Sequence, residues 1–343
     1  MDDSSQPANP HADDFSVPSP RVPYYDDSNH SWVLTRYVDV QAALSHPALQ
    51  LGSSVEDVPE TSTTTAAMRI RTQDALSPPQ LDEWRSRFEH SVQAIISGLA
   101  RNAPIDLMKE VIRPWTLQAA FEVTHADLSQ TKRLSELAAL VSSAAAEPRD
   151  PDLKERAKLA NKELQQLFPD PQSPISGPAF VALSQTLAAL LSNGWLALLQ
   201  HPSELASLHR DLNLTQAAVE EMLRFCALPR TLSRVAIADT NISGVIVPCG
   251  ERVVLYVASA NRDPHRFADA NRFALSRRSV GHFSLGAGSH ACVGASLIRM
   301  AMDVATRAFA VAFASAQLHG PVEWRGGSGF RWPEVIPVNL NRA

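Results

Sequence analysis

The chain has 343 residues, of which 45% are hydrophobic and 20% charged, with a formal net charge of −5. This length allows a large core that holds a cofactor, and the acidic balance excludes the basic footprint of a nucleic-acid-binding protein. Three cysteines are too few for a disulfide framework, so we expect a reducing, cytoplasmic location.

The start of the chain differs in composition from the rest. Residues 1–29 are rich in Asp, Ser, Pro and Asn, which predicts a flexible N-terminal arm followed by a single domain over residues 30–343. The acidic start is unlike a signal peptide, and we expect no apolar run with the roughly 18 uncharged residues of a membrane span. The sequence therefore predicts neither a membrane nor a nucleic acid as a partner.

Helical periodicity and β-prone runs divide the chain into its predicted elements. Helices are predicted over residues 38–44, 81–99, 105–124, two within 131–168 that break near Pro148 and Pro151, 180–200, 217–225 and 295–314. Strands are predicted over residues 31–37, 232–237, 245–248 and 251–257. The helices outweigh the strands, so the fold class is mainly α with small β-sheets.

A pair of opposite charges lies in the predicted helix 217–225. Glu221-x-x-Arg224 places the two side chains on one helix face. On a solvated surface such a pair contributes only about 0.2–0.5 kcal/mol. Burial of the pair would require further partners that satisfy both charges.

A glycine-rich stretch with one cysteine precedes the last predicted helix. It contains Phe283-x-x-Gly286 and then Cys292-x-Gly294. Glycines let the backbone approach a flat ligand, and the unpaired N–H groups at the helix start favour a thiolate at Cys292. A single thiolate on a single iron is haem ligation.

Other interpretations of this stretch remain possible. Gly286-x-Gly288-x-x-Ala291 is a form of the dinucleotide fingerprint, but neither a preceding buried strand nor a correctly spaced acid accompanies it. The alternative interpretation of Cys292 is a small buried hydrophobe, which is what we expect of Cys226 and Cys249. A zinc site lacks a second pair of ligands at the required spacing.

Four motifs in one order resemble the cytochrome P-450 family: the helix tail 193–202, Glu221-x-x-Arg224, the segment 261–273 and the cysteine loop. The resemblance runs from about Trp32 to the end of the chain. It implies a cytochrome P-450-like haem-thiolate fold that holds haem b between the helix 180–200 and the helix after Cys292. It also implies monooxygenase-type oxidation of a small organic molecule, with a ferredoxin and a ferredoxin reductase as electron donors.

The resemblance assigns roles to individual residues. Cys292 would be the proximal iron ligand, Phe283 would shield its sulfur, and Gly286 and Gly294 would shape the loop. Arg272 would be the third member of the Glu221 and Arg224 network. The haem propionates would be held by a set of cationic or donor side chains, with the last two as alternatives: Arg234, His282, His290, and Arg69 or Arg71.

The chain departs from the family pattern in the middle of the helix 180–200. Residues 182–186 align with the oxygen-activation motif, in which Leu183 replaces a glycine, Gln185 replaces an acid and only Thr186 is retained. The segment 169–178 and the N-terminus are shorter than in typical members. These departures leave open a peroxide-dependent or redox-neutral enzyme, a haem protein kept for binding, and an ordinary buried helix whose threonine bonds back to a carbonyl.

Overall fold

The structure is a computed structural model of the protein, and it describes residues 18–52, 63–99, 104–168, 170, 173–277 and 281–340. The α-helices are α1 Tyr37–Ser45, α2 Thr63–Ala75, α3 Pro78–Ser97, α4 Arg113–Thr124, α5 Thr131–Ala146, α6 Pro151–Gln166, α7 Gly177–Val181, α8 Leu187–Gln200, α9 Pro202–Arg210, α10 Thr215–Phe225, α11 Val257–Ala260 and α12 Ala295–Ala312. The predicted fold class, mainly α with small β-sheets, is confirmed.

Short strands form small sheets beside the helices. They are β1 Tyr24–Asp26, β2 Ser31–Leu34, β3 Leu49–Gln50, β4 Ile105–Asp106, β5 Leu232–Ala236, β6 Thr240–Ile242, β7 Val245–Val247, β8 Arg252–Leu255, β9 Gln317–Leu318, β10 Glu323–Gly326, β11 Arg331–Val335 and β12 Pro337–Asn339. The largest sheet has the order β1-β2-β8-β5-β3, and only its β2 and β8 pair is parallel. The hairpins β6–β7 and β10–β11 and the sheet β4-β12-β9 are separate.

Local sequence rules explain where several helices begin. Proline stands in the first turn of α3, α6 and α9, where its missing N–H has no helical partner to lose. The Asp150 carboxylate caps α6 by accepting the Leu153 N–H at 2.9 Å. The predicted break near Pro148 and Pro151 is therefore the boundary between α5 and α6.

One continuous helix runs through the middle of the protein. This central helix, Gly177–Gln200, consists of α7, a π-helical turn at Ala182–Thr186, and α8. It is long and apolar enough to span a membrane by length and composition, so the expectation that no run reaches that length was wrong. Its apolar window is 83% buried inside the protein, as in the core helix of a globular protein.

Two clusters of buried side chains form the core. The larger one joins the central helix to α3, α4, α10 and α12. The smaller one lies against the five-stranded sheet and includes Leu34, Val40, Leu255 and Phe283. The segment that leads to Cys292 therefore starts in the smaller cluster and ends at α12, whose apolar face belongs to the larger one.

The predicted N-terminal arm, residues 1–29, lies partly outside the described residues. Its described part is attached to the domain, because β1 pairs with β2 and the Ser259 hydroxyl donates to the Pro18 carbonyl at 2.6 Å. The Arg21 N–H also donates to the Thr35 hydroxyl at 2.8 Å. The sheet thus begins before residue 30.

Candidate active site

The cysteine loop is fixed by main-chain hydrogen bonds. The Cys292 N–H donates to the Leu285 carbonyl at 2.7 Å, and the Ala291 N–H donates to Gly288 at 3.1 Å across a short 3-10 turn. The Ile298 N–H then donates to the Gly294 carbonyl at 3.0 Å, which starts α12. These bonds place Cys292 immediately before a long helix, and its side chain is exposed.

Two glycines of this loop adopt the left-handed conformation. Gly286 has φ +71°, and Gly288 has φ +67° with a hypothetical Cβ only 2.8 Å from the Leu44 carbonyl. A side chain at Gly288 would therefore push the loop away from α1. At Gly294 a Cβ would meet no described atom within 4 Å, so glycine there leaves open space beside Cys292.

The Cys292 thiol is more weakly acidic than an ordinary cysteine. Desolvation by the surrounding protein raises the pKa of this thiol although the side chain is exposed, and the opposing effects are the Gly294 N–H that bonds to the sulfur and the charges of Arg69 and Arg299. The predicted stabilisation of the thiolate by the helix start is present, but desolvation outweighs it. A bound metal ion deprotonates a coordinating thiol outright, so the thiolate form depends on that ion.

Cationic groups collect on one side of the loop. Arg234 is buried on β5, and its Nε has no partner among the described residues. Arg69 on α2 donates to the Ala291 carbonyl at 2.7 Å. The pKa of His290 is lowered by burial, then by the charges of Arg234 and Arg69. The three side chains therefore share one electrostatic environment next to Cys292.

No carboxylate in the described part of the chain pairs with this cationic cluster of Arg69, Arg234 and His290. Arg234 donates only to the adjacent Ser233 carbonyl, at 2.9 Å, and burial lowers its pKa to about 10. Burying an unpaired charge costs free energy, so this arrangement indicates a binding site for an anion. Arg71 lies exposed on α2.

His282 does not belong to this cluster, contrary to the prediction. The Ser284 N–H donates to His282 Nδ1 at 3.3 Å, so Nε2 carries the proton and donates to Glu220 at 3.1 Å. Arg299 donates to the same carboxylate at 2.6 Å. Although burial alone would raise the Glu220 pKa, hydrogen bonds from His282 and Arg299 lower it to about 2. His282 thus uses both ring nitrogens inside the protein.

Phe283 also differs from its predicted role. Its ring stacks on Tyr37 with centroids 4.5 Å apart, and it belongs to the smaller core cluster. The residue hydrogen-bonded to Cys292 is Leu285, whose side chain packs against the larger cluster. Leu285, rather than Phe283, is therefore the apolar residue positioned by the cysteine.

The π-helical turn of the central helix carries Gln185 and Thr186. Both residues are half-buried, whereas Leu183 and Ser184 on the same turn are buried. Ser184 bonds back to the Phe180 carbonyl at 2.7 Å, but in the described part of the chain the Gln185 and Thr186 side chains have no hydrogen-bond partner. Isolated π turns occur often at functional sites. Gln185 and Thr186 are therefore the two polar side chains of this turn that remain partly exposed; we call their side of the central helix the open face.

Glu221 on α10 is the centre of a buried network of ion pairs. Glu221 and Arg224 form two hydrogen bonds of 2.8 Å, and Arg224 also donates to the Asn261 and Ala270 carbonyls at 2.8 Å. The third side chain is Arg277, whose Nε lies 3.1 Å from Glu221 Oε2. The assignment of Arg272 was wrong.

The turn before Arg272 explains this difference. Asp269 has φ +48°, and the Arg272 N–H donates to its carbonyl at 2.8 Å. This turn leaves the Arg272 side chain exposed, while its carbonyl accepts from Arg224 at 3.2 Å and from Arg277 at 3.0 Å. Both arginines follow Glu221-x-x-Arg224 at a distance, and sequence spacing alone does not choose between them.

The prediction that the other two cysteines are buried holds for Cys226 and fails for Cys249. Cys226 is buried, and burial raises its pKa to about 12. Cys249 is exposed at the turn after β7, so the expectation of a buried hydrophobe was wrong there. The described residues contain no cluster of His, Cys, Asp or Glu that would hold a metal ion by itself.

The residues around Cys292 fit a haem. A porphyrin iron needs one soft axial ligand, and the exposed sulfur of Cys292 supplies it. Two propionates need cationic or hydrogen-bonding partners, which the orphaned Nε of Arg234, the charge of Arg69 and the imidazole N–H of His290 supply. A flat macrocycle needs space, which Gly294 and the open face at Gln185 and Thr186 provide.

Comparisons with known proteins agree with this fit. The profile of the family described as Cytochrome P450 matches residues 200–314, which include Glu221-x-x-Arg224, Arg277 and the cysteine loop. Nocardicin C N-oxygenase of Nocardia uniformis subsp. tsuyamanensis is 28% identical over 93% of this chain and 91% of its own length. The solved structure of PksS, a cytochrome P450 of the bacillaene polyketide synthase of Bacillus subtilis 168, covers 97% of this chain with a TM-score of 0.83 and 22% identity, so the two share a fold.

Closer identity is confined to part of the chain. The cytochrome P450 monooxygenase PikC of Streptomyces venezuelae is 34% identical over 47% of this chain and 40% of its own length. This match therefore spans less than half of that relative.

Proposed function

The chain belongs to the cytochrome P450 family, and from this membership we propose that it is a haem-thiolate monooxygenase that oxidises a small organic molecule. The observation that carries the proposal is the joint placement of Cys292 and the cationic cluster of Arg69, Arg234 and His290. An iron porphyrin satisfies both, since it brings one metal and two carboxylates.

In this proposal Cys292 ligates the iron, while Arg234, His290 and Arg69 hold the propionates. When bound, haem supplies the redox chemistry, because a thiolate ligand donates electron density that favours cleavage of an O–O bond. The Gly294 N–H donates a hydrogen bond to the Cys292 sulfur. This hydrogen bond reduces the electron density that the sulfur can donate to the iron. The hydrogen bond from the Cys292 N–H to the Leu285 carbonyl fixes the main chain of the cysteine that would ligate the iron.

The open face of the central helix serves the substrate side. Thr186 has a hydroxyl that donates or accepts, and Gln185 has an amide that orients a water molecule. Since neither side chain is engaged elsewhere among the described residues, both are free to hold water or substrate. We assign electron supply to a ferredoxin and its reductase, and the three free cysteines agree with a reducing cytoplasm.

Carbon monoxide difference spectroscopy tests the haem-thiolate assignment. The dithionite-reduced protein with CO should show the red-shifted Soret band of a thiolate ligand, and Cys292→Ala should lose it. Cys226→Ala is the matched control and should keep the band, because that thiol is buried in the core away from the loop. A normal band in Cys292→Ala would overturn the proposal.

A second candidate function is favoured by Gln185. In the family an acid at this position takes part in proton delivery to oxygen, and an amide cannot release and regain a proton near neutral pH. Hydrogen peroxide brings its own protons. The alternative is therefore a peroxide-dependent enzyme with the same haem site and the same kind of substrate.

Coupling measurements separate the two routes. With dioxygen and reductase we expect little product per electron from the natural protein and more from Gln185→Glu, while peroxide-driven turnover should change little. Gln185→Leu is the control, because it removes the amide without adding an acid and should not improve coupling. Tight coupling in the natural protein, unchanged in Gln185→Glu, would eliminate the peroxide route.

A further inference from the structure

The tip of the β10–β11 hairpin meets the C-terminal end of α5. The Gly329 N–H donates to the Ala146 carbonyl at 3.0 Å, so the hairpin satisfies a carbonyl that α5 leaves without a helical partner. Next to it, Arg325 donates to the Ser143 hydroxyl at 3.2 Å. We name the contact between residues 326–330 and residues 145–148 the roof clasp.

Glycine is required on the hairpin side of the roof clasp. A Cβ at Gly329 would lie 2.1 Å from the Ala145 carbonyl oxygen and 2.9 Å from Pro148 Cδ. At Gly327 a Cβ would lie 2.1 Å from Glu147 Oε1, which is the end of a flexible, exposed side chain. At Gly329, in contrast to Gly327, the added carbon collides with the α5 backbone, which cannot rotate away.

Hydrogen bonds also hold the hairpin tip on the side away from α5. The Arg230 N–H donates to the Gly329 carbonyl at 2.8 Å, and the Thr231 hydroxyl donates to Ser328 at 3.1 Å. From the central helix, Asn193 donates to the Arg331 carbonyl at 3.0 Å. The tip is therefore held between α5 and the segment that leads into β5.

The roof clasp connects two elements that pack against the central helix. α5 packs against the π-helical turn that carries Gln185 and Thr186, and β11 packs against α8. Only residues 147–150 separate α5 from α6, so the connection has little slack. Separating the hairpin from α5 is thus one way to widen the space over this turn.

We propose that Gly329 is a specificity-determining residue: through the roof clasp it limits this site to compact molecules and slows the admission of bulky ones. The proposal rests on the function proposed above. Position 329 acts in the roof clasp by having no side chain, because the contact that joins the hairpin to α5 there is made by main-chain atoms. A methyl group at position 329 must drive the two apart by about 1 Å to restore ordinary van der Waals distances.

Binding rates of two haem ligands of different size test the proposal on the holoprotein. In Gly329→Ala we expect the association rate of 4-phenylimidazole to rise about tenfold, equivalent to ~1.4 kcal/mol in the barrier, and that of imidazole to stay within about twofold. Gly327→Ala is the matched control, since the Glu147 side chain can rotate away, and both rates should remain those of the natural protein.

A second variant and a structural measurement guard against misfolding of Gly329→Ala. Arg325→Ala removes the bond to Ser143 and should shift the ratio of the two rates in the same direction. Hydrogen exchange should show a protected Gly329 amide in the natural protein and an exposed one at residue 329 in either opened variant. An unchanged rate ratio in every opened variant overturns the clasp, whereas loss of the CO signature in the natural protein overturns the haem site instead.

Discussion

At the level of single residues, Arg234 shows how an unsatisfied group indicates a ligand. Its Nε is buried without a described partner, and burial lowers its pKa to about 10. Arg252 on the neighbouring strand β8 has the same unsatisfied Nε. Val235 and not Arg234 pairs with Arg252, and cross-strand partners share a sheet face, so the two arginines point to opposite faces. Of these two arginines, Arg234 is the one whose charge acts on His290 in the loop.

We expect Arg234→Leu to weaken haem retention while the CO band keeps its thiolate position. The reason is that a propionate without a cationic partner favours protonation or solvent. Transfer of haem to an apo-globin scavenger should be about tenfold faster, equivalent to ~1.4 kcal/mol. Arg252→Leu is the control and should leave the transfer rate unchanged. Equal rates in both variants would contradict the role of Arg234.

Glu220 gives a prediction in the pH dependence of stability. Its pKa falls from 4.5 to about 2, because His282 and Arg299 donate to the carboxylate despite its burial. A lowered folded-state pKa stabilises the protein fully above pH 4.5, and this contribution is lost as the pH falls through about 2. Allowing for partial solvent screening, it amounts to about 1–2 kcal/mol.

Glu220→Gln should therefore lower the free energy of unfolding at pH 7 by about 1–2 kcal/mol. Urea unfolding at pH 7, 5 and 3 should show the difference from the natural protein constant between pH 7 and 5 and smaller at pH 3. Glu323→Gln, at an exposed position on β10, is the control and should change little at any pH. A difference that grows on acidification would refute this origin of the stabilisation.

At the level of elements, the segment after α11 supplies Arg277 to the buried network. Its side chain is 8% exposed and contacts Glu221, whereas the Arg272 side chain is exposed. Removing one partner of a buried ion pair typically costs about 3–5 kcal/mol, because the other charge is left unpaired. An exposed substitution usually changes stability by no more than about 0.5 kcal/mol.

Arg277→Ala should accordingly lose several kcal/mol of unfolding free energy, roughly 3–5 kcal/mol, and bind less haem. Arg272→Ala should behave like the natural protein, because its contribution to the network is the backbone carbonyl, which alanine keeps. Urea denaturation followed by circular dichroism measures both. If Arg272→Ala is the more damaging variant, the network is organised differently from this structure.

The same segment shows where sequence reasoning stops. The long helices α3, α5, α6, α10 and α12 followed from periodicity and prolines, and Glu221-x-x-Arg224 indicated a network, whereas α9 and the strands β9 to β12 were not predicted. The choice between Arg272 and Arg277 depended on a left-handed turn at Asp269, which no local pattern specifies. The role of Phe283 beside Cys292 likewise came from the resemblance of the loop to the family motif. Its packing on Tyr37, more than two hundred residues away, is a tertiary contact.

The central helix adds a second example at this level. Its length and burial followed from an apolar run, but the π turn at Ala182–Thr186 inserts an irregularity that hydrophobic spacing does not reveal. The aligned motif, residues 182–186, coincides with that turn, although the alignment did not predict it.

At the level of the whole molecule, the cysteine loop joins the two core clusters. Phe283 belongs to the smaller cluster, and α12 contributes Ile298 and Met302 to the larger one. Between them lies Cys292, next to Arg69 from α2 and Arg234 from β5. Elements far apart in sequence thus meet at one place, and the cationic groups gathered there repel one another unless an anion separates them.

Haem should therefore stabilise the protein as a whole. A ligand at about 1,000 times its Kd adds about 4 kcal/mol, which for a chain of this size raises the melting temperature by roughly 6 °C. We expect extraction of haem to lower the melting temperature by that amount. Hydrogen exchange should increase at α2 and at residues 282–294, while the Glu221 and Arg224 network in α10 stays protected. Reconstitution with haem is the control and should restore both measurements. If the haem-free protein melts at the same temperature with unchanged exchange in the loop, the cationic cluster is stable without the propionates.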